Sequence, residues 1–190
     1  MPRLIHLNGP PAIGKSTLAA LYADRHPGTL NLDIDRLHSF IGGWQDAEGD
    51  QAILRPLARA MASAHLAGER DVVLPQYLAL LSEIELFEAA AREQGAEFRE
   101  IVLLADKDES IARFGRRDAA SEWDEYNRRL VDTLGGEDFL AGMYDRLLAI
   151  LRARPSAVVV RSEPDAIEDA YAALVRALDA DQGRPARRSV

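Results

Sequence analysis

The sequence predicts a three-layer α/β fold, with one five-stranded parallel sheet flanked by helices. Short apolar runs alternate with longer amphipathic runs along most of the 190 residues, a pattern typical of a parallel sheet whose strands are joined by helices. Gly68 and Gly95 each follow an amphipathic run and shortly precede an apolar one, as residues that end a helix do. A glycine-rich turn directly follows the first apolar run. Junctions of this kind are where open α/β sheets bind anionic ligands.

The elements follow from these runs in chain order. We predict strands near residues 4–8, 29–33, 71–75, 98–104 and 157–161. We predict helices near residues 15–26, 48–67, 82–94, 108–117, 122–134, 137–153 and 165–179. Pro56 interrupts the second helix, which should therefore kink or begin later than residue 48. We expect a single domain over residues 1–180 and a disordered polar tail over residues 181–190.

Composition restricts the classes of partner. The net charge of −8 and the pI near 5.0 disfavour nucleic acid and anionic membranes as partners. The chain has no cysteine, which excludes disulfides, thiolate metal sites and cysteine nucleophiles. The first apolar run is too short for a signal peptide, and no run reaches membrane-spanning length. We therefore expect a cytoplasmic protein; the composition carries no signal on oligomeric state.

The turn after the first strand is a full phosphate-binding motif. The segment GPPAIGKST, from Gly9 to Thr17, matches the pattern G-x-x-x-x-G-K-S/T between a predicted strand and a predicted helix. Glycines let the loop amides turn toward a polyphosphate, Lys15 reaches the β- and γ-phosphates, and the Ser16 hydroxyl ligates Mg²⁺. The candidate nucleotide-binding residues are Gly9, Pro10, Pro11, Ala12, Ile13, Gly14, Lys15, Ser16 and Thr17.

Two carboxylates, Asp33 and Asp35, stand at the end of the second predicted strand. In a parallel sheet that end shares an edge with the phosphate loop. If the strand continues through Ile34, both side chains point to one side. A carboxylate there can take the proton of an attacking hydroxyl or hold Mg²⁺ through water. In the alternative interpretation Asp35 caps a helix that begins at Arg36, and Asp33 is a solvated strand end.

With this loop and this pair, the sequence resembles the small P-loop kinases that phosphorylate metabolites, antibiotics or sugar nucleotides. It is most similar to the chloramphenicol phosphotransferase and zeta toxin-like group and, more distantly, to gluconate, shikimate and adenylate kinases, over roughly residues 3–178. In that group the aspartate after strand two, followed by a short helix, is the general base. The resemblance therefore implies that Asp35 is the base, with ATP and Mg²⁺ as cofactors. Asp33 is then the candidate for contact with Mg²⁺ through water.

The acceptor side carries weaker signals. In this architecture His38 and Trp44 would lie over the acceptor pocket. Many P-loop enzymes end the third strand with an acid, but this chain has Pro75, and Gln76 and Tyr77 follow as candidate hydrogen-bonding residues. The alternatives are that His38 is a surface helix residue and that Gln76 satisfies the local backbone.

The interval between the fourth and fifth strands is too long for a simple crossover and is rich in arginine. We predict a helical lid over approximately residues 113–136. By resemblance to the lid arginines of nucleotide kinases, Arg113 stacks on the base and Arg117 contacts phosphate, with Arg116 between them. A spacing of four would place Arg113 and Arg117 on one helix face. The alternative is a solvated basic helix. Ser162, after the fifth strand, is a candidate contact to adenine or a helix cap.

The leading functional prediction is an ATP-dependent phosphotransferase that acts on a hydroxyl of a small molecule. The catalytic candidates are Lys15, Asp35, Arg113 and Arg117, and the acceptor-site candidates are Asp35, His38, Trp44, Gln76 and Tyr77. A nucleotide-dependent switch that hydrolyses ATP is an alternative from another class. A third possibility is the kinase toxin of a toxin–antitoxin pair.

Overall fold

The structure is a computed structural model that describes residues 1–44, 51–117 and 121–180. Five parallel strands form one sheet in the order β2-β3-β1-β4-β5. The strands are β1 (Arg3–Asn8), β2 (Leu30–Asn31), β3 (Val72–Pro75), β4 (Glu97–Leu104) and β5 (Val158–Arg161). The predicted three-layer α/β fold is confirmed.

Seven α-helices and one 3₁₀ helix complete the described part of the chain. The α-helices are α1 (Lys15–Arg25), α2 (Gln51–Leu66), α3 (Leu81–Glu93), α4 (Lys107–Arg116), α5 (Glu122–Thr133), α6 (Glu137–Ala153) and α7 (Ile167–Asp179). Pro56 lies inside α2; residues 48–50 of the predicted helix and the predicted tail 181–190 lie outside the described residues. No described helix is long and apolar enough to cross a membrane.

The central strand β1 packs a separate core on each face of the sheet. Leu4 belongs to a fully buried cluster with Leu54 of α2 and Phe87 of α3. Its neighbour Ile5 belongs to the cluster on the opposite face, with Leu18 of α1 and Leu174 of α7. Burying each such side chain contributes about 1.5–3 kcal/mol. The two clusters hold the helices against both faces, and the carboxyl ends of the strands are left for a ligand site.

Strand β2 is shorter than predicted. It ends at Asn31, and the chain turns into a 3₁₀ helix over Ile34–Phe40, with Asp33 as the N-cap. The backbone is still extended at Asp33, but extension through Ile34, on which a shared side for the two aspartates depended, is not met because Ile34 begins the helix that Asp33 caps.

A buried asparagine joins two loops at the carboxyl edge of the sheet. The Asn8 Oδ1 atom accepts hydrogen bonds from the Gly9 amide at 2.9 Å and the Leu78 amide at 3.1 Å. Its Nδ2 atom donates to the Leu78 carbonyl at 2.8 Å. The start of the phosphate loop is thereby fixed to the segment that follows β3.

Candidate active site

One large cavity opens at the carboxyl ends of the strands. Its volume is about 1360 Å³, above the roughly 300–1,000 Å³ of a typical site for one small ligand. The phosphate loop, the 3₁₀ helix, the segment after β3 and helices α4 to α6 all contribute to its wall. The cavity has room for a nucleotide and a second substrate.

The phosphate loop has the backbone that its glycines allow. Gly9 has φ +150°, and a Cβ built there would lie 2.6 Å from the Leu103 carbonyl oxygen, so no side chain fits. Gly14, at φ +102°, is the N-cap of α1. The loop therefore passes closely over β4 and directs the amino end of α1, where helix dipoles favour anions, into the cavity.

Lys15 curls over this loop. Its Nζ atom donates to the Gly9 carbonyl at 2.9 Å and to the Pro10 carbonyl at 2.8 Å. Burial lowers the Lys15 pKa to about 8, and the nearby Asp35 and Asp33 carboxylates oppose that shift. A desolvated cation at the end of an amide-rich loop fits a polyphosphate, which would supply the missing negative charge.

The two aspartates have different positions. Asp33 is buried, and its Oδ1 atom accepts a hydrogen bond from the Asp35 amide at 3.2 Å. Its Oδ2 atom lies 3.9 Å from the Arg36 Nε atom. The 3₁₀ helix is thus capped by Asp33, and the alternative that made Asp35 the cap was wrong because the helix begins two residues earlier, at Ile34 and not at Arg36.

Asp35 lines the cavity on the same side as Lys15. Burial raises the Asp35 pKa to about 6, and the neighbouring Asp33 charge adds to the rise. A hydrogen bond from Trp123 and the charges of Lys15 and Arg117 act in the opposite direction. A carboxyl group with such a pKa is ionised near neutral pH yet basic enough to accept a proton.

The residues present fit a magnesium ion held mainly by nucleotide phosphates. Ser16, Asp33 and Asp35 all line the cavity, and Mg²⁺ in kinase sites typically uses one or two carboxylates together with phosphate oxygens and water. Among residues 1–44, 51–117 and 121–180, no three acidic or histidine side chains cluster as a dedicated cage. Asp71 stands at the far end of β3, where it binds the Arg3 amide at 2.8 Å.

The lid arginines take different directions. Arg113 donates to the Ser162 carbonyl at 2.9 Å and to Glu109 Oε1 at 2.9 Å, and Arg116 donates to the same Glu109 oxygen at 2.8 Å. Arg117 follows the last residue of α4 in extended conformation. The Arg117 amide still donates to the Arg113 carbonyl at 3.1 Å, so the two residues remain one helical turn apart. The Arg117 side chain pairs with Asp124 of α5 at 2.6 Å.

Ser162 connects the phosphate loop to the arginine helix. Its hydroxyl donates to the Ile13 carbonyl at 2.9 Å and accepts from Arg113 Nη1 at 3.2 Å. Its amide donates to the Leu104 carbonyl at 2.8 Å. Ser162 and Arg113 lie together at the wall of the cavity beside the loop.

The acceptor side contains an aromatic group that sequence reasoning found only in part. The His38 ring stacks on the Trp123 ring, with centroids 3.8 Å apart and planes 20° apart. Trp44 lies 5.4 Å from His38 and 5.8 Å from Trp123. Trp123 and Tyr126 were missed. Their spacing of three on a mostly charged helix was the signal for one shared face.

Gln76 and Tyr77 both line the cavity. The Gln76 carbonyl accepts a hydrogen bond from His6 Nε2 at 2.9 Å. The Tyr77 hydroxyl donates to the Met143 carbonyl of α6 at 2.9 Å, so the ring is held in place by its own hydrogen bond. Of the predicted residues, the cavity thus brings together Lys15, Ser16, Asp33, Asp35, His38, Trp44, Gln76, Tyr77, Arg113, Arg116, Arg117 and Ser162, with loop residues 11–14 and 17.

Three solved structures share this fold at low sequence identity. The crystal structure of APE1195 superposes with a TM-score of 0.65 at 18% identity and covers 94% of this chain and 96% of its own. The tunicamycin resistance protein of Deinococcus radiodurans gives 0.59 at 15% identity, covering 97% and 98%. A gluconokinase from Sinorhizobium meliloti 1021 gives 0.58 at 18% identity, covering 96% and 98%.

These likenesses show that the chain has the fold of P-loop kinases. The resemblance to the chloramphenicol phosphotransferase and zeta toxin-like group stays a prediction. No curated protein matches the sequence. Residues 4–134, more than half of the chain, match the model of a family described as AAA domain, and the chain therefore belongs to the AAA domain family.

Proposed function

We propose that the protein is an ATP-dependent phosphotransferase that moves the γ-phosphate to a hydroxyl group of a small molecule. One observation carries the proposal: a carboxylate with a raised pKa, Asp35, shares a cavity with the phosphate-loop lysine, Lys15, closely enough for their charges to affect each other. A protein that only bound a nucleotide would not require a base beside the loop.

In the proposed reaction the acceptor oxygen forms a bond to the γ-phosphorus. The bond between that phosphorus and the β,γ-bridging oxygen breaks, and ADP leaves. The hydroxyl proton passes to the Asp35 carboxylate, which is ionised above its pKa of about 6. Lys15 and the loop amides bind the phosphates and offset the negative charge that develops on them.

Mg²⁺, when bound, neutralises charge on the phosphate oxygens. We assign Ser16 to coordination of the ion and Asp33 to contact with it through water. The Asp33 Oδ1 atom accepts from the Asp35 amide, and the Oδ2 atom is the one assigned to the water contact. Of the predicted lid, residues 118–120 lie outside the described residues; residues 113–117 and 121–136 are proposed to exclude water, with Arg117 directed to the transferred phosphoryl group and Arg113 to the nucleotide. Both arginines already line the cavity.

The direct test is a mass-spectrometric screen for acceptors that gain one phosphate when incubated with the protein, ATP and Mg²⁺. We expect product with the native chain and none with Lys15→Ala. Phosphorylation that persists with Lys15→Ala would contradict the role given to the loop.

One observation favours the nucleotide switch as a second candidate. Strand β3 ends at Pro75 and is followed by Gln76, without the acid that many P-loop enzymes carry there. The two functions differ in product: a switch would hydrolyse ATP at the same rate with and without every acceptor of a broad hydroxyl-compound panel, and no compound would gain phosphate.

A further inference from the structure

Helix α2 has an uncharged outer face. Its inner face points to the sheet and is buried, and it consists of Leu54, Ala58, Ala62 and Leu66. A surface helix normally carries charged or polar side chains on the opposite face. In α2, by contrast, every exposed residue between positions 52 and 66 is apolar: Ala52, Ile53, Pro56, Leu57, Ala60 and Ala64. Since 28% of the residues of the chain are charged, such a face indicates a contact surface.

Helix α3 extends this surface. Both helices contribute side chains to the same core cluster, so they pack on the same face of the sheet. Both run from the carboxyl edge back to the amino edge, because each joins parallel strands. Arg55 of α2 pairs with Glu83 of α3, which fixes the level of one helix against the other. Leu57, 39% exposed, and Leu86, 49% exposed, therefore lie at nearly the same level.

The outer face of α2 is complementary in shape to a second, antiparallel copy of itself. A two-fold axis midway between Leu57 and Ala60 places Ile53 opposite Ala64 of the second copy. The same axis places Leu57 opposite Ala60 of the second copy. Each large side chain then meets a small one, which lets the two helices approach closely and pack without gaps. A symmetric contact requires such self-complementarity, because the same patch serves on both sides.

The charges beside the outer face are complementary under the same axis. Glu85 is exposed and Arg59 is half-buried, and neither has an ion pair with a described residue. In the register that α2 and α3 share, Glu85 lies level with Leu57, which the axis brings to Ala60 of the second copy. Glu85 thus stands one residue, or about 1.5 Å along the helix axis, from the level of Arg59 of the second copy. Two pairs of opposite charge would flank the apolar centre, as at the rim of a typical interface.

We propose that the chain forms a symmetric dimer in which α2 packs antiparallel against α2 of the second copy. The contact covers Ile53, Leu57 and Leu86 of both copies, and it pairs Arg59 of each copy with Glu85 of the other. None of these five residues lines the cavity, so the contact leaves the ligand site free. Association therefore does not depend on the proposed function.

Analytical ultracentrifugation of the native chain over the micromolar range tests the dimer. We expect a mass that rises with concentration from one chain of 20.9 kDa toward two. Ile53→Glu should raise the Kd of the dimer by about tenfold or more, because it places a charge in the apolar contact twice. Val159→Glu is the matched control, since Val159 is 53% exposed and Ile53 52%, but Val159 lies on β5. The control should leave the Kd unchanged.

Two charge reversals test the orientation of the copies. Arg59→Glu and Glu85→Arg each place like charges opposite one another in both symmetric pairs, so each variant alone should dimerise more weakly than the native chain. In an equimolar mixture of the two variants, every pair again joins opposite charges. The mixed dimer should therefore form more tightly than the dimer of either variant alone. Mixing changes only the contacts between chains, so no contact within a chain produces this result.

The outcomes that contradict the dimer are distinct from one another. A native chain that sediments as a monomer at every concentration would overturn it and leave the outer face of α2 to a different protein. A dimer that Val159→Glu weakens and Ile53→Glu does not would overturn it in favour of a contact at the sheet edge. A mixture of the charge variants that associates no more tightly than its components would overturn the antiparallel arrangement. Because mass is the readout, each result holds whether or not an acceptor is phosphorylated.

Discussion

At the scale of single residues, Asp35 is the side chain on which the proposed chemistry depends most. We expect Asp35→Asn to lower phosphoryl transfer by a factor on the order of 10² to 10⁴, because an amide cannot accept the hydroxyl proton. Nucleotide binding should persist, since the loop is unchanged. Steady-state kinetics with a phosphorylated acceptor, together with titration of an ATP analogue, measure both quantities.

Asp33→Asn is the matched control for this variant. Asparagine caps helices as well as aspartate does, so the 3₁₀ helix should be kept while one carboxylate is lost. If Asp33→Asn abolished transfer and Asp35→Asn were nearly silent, the two roles would have to be exchanged.

The pH dependence of the reaction belongs to the same carboxylate. Because burial raises the Asp35 pKa to about 6, kcat/KM should fall as the pH drops through about 6. With an ordinary aspartate as the base, kcat/KM would fall only near pH ~4. The Trp123 hydrogen bond favours the ionised form. Trp123→Phe should therefore raise this pKa and move the acid limb to higher pH.

A pH–rate profile of kcat/KM measures that shift. Tyr126→Phe serves as the control, because it keeps a ring that packs 5.6 Å from Trp123 and changes only a hydroxyl. An acid limb that Trp123→Phe leaves in place would show that the indole does not act on the base.

Single residues differ in how far the sequence predicts them. Lys15 and Ser16 are predictable because the phosphate loop has a fixed spacing and its geometry is local. Trp123 is not, since it reaches Asp35 only through the packing of α5 against the 3₁₀ helix. The end of α4 was predicted one residue late, at Arg117 in place of Arg116, because helix ends are poorly encoded locally.

At the scale of elements, the joint between β1 and the segment after β3 places the two halves of the site. Asn8 fills this joint with hydrogen bonds to Gly9 and Leu78. We expect Asn8→Ala to lower the free energy of unfolding by about 3 kcal/mol, because several buried backbone groups lose their partner. Chemical denaturation provides the measurement.

Asn31→Ala is a suitable comparison on the neighbouring β2. Its Oδ1 atom is buried without a hydrogen-bond partner among the described residues, so its removal orphans no group known to depend on it. A cost at Asn31 equal to that at Asn8 would mean that the hydrogen bonds of Asn8 are not what stabilises the joint.

The elements themselves were predictable where the apolar period was long. Helices such as α3 and α7 carry buried residues at helical spacing, and their positions agree with the prediction to within a few residues. The second strand was predicted near residues 29–33, but its end at Asn31 was not predictable, because Asp33 is equally typical of a strand end and of a helix cap.

At the scale of the whole molecule, the fold class followed from the alternation of strands and helices, and the place of the cavity from the rule that parallel sheets bind ligands at their carboxyl edge. The aromatic part of the cavity was not predictable in full, because His38 and Trp44 meet Trp123 and Tyr126 of α5 only in the folded chain.

Stability and ligand binding should be coupled across the whole molecule through Lys15. Burial lowers the Lys15 pKa from 10.5 to about 8, so the folded state releases this proton more readily than the unfolded chain. The free energy of unfolding should consequently rise as the pH increases from about 8 to 10.5. At pH 7 Lys15 is charged and buried, which destabilises the folded state. Lys15→Met removes the cation and keeps an apolar stem of similar length. We expect a higher Tm without nucleotide than in the native chain.

The same variant should lose the stabilisation that nucleotide provides. For the native chain, ATP at one hundred times its Kd should add about 2.7 kcal/mol to the free energy of unfolding, seen as a rise in Tm. Lys15→Met should show almost none. Thermal unfolding of both proteins, with and without ATP and Mg²⁺, measures the two effects together. A variant less stable than the native chain without nucleotide would show that Lys15 supports the loop through the Gly9 and Pro10 carbonyls more than its desolvation costs.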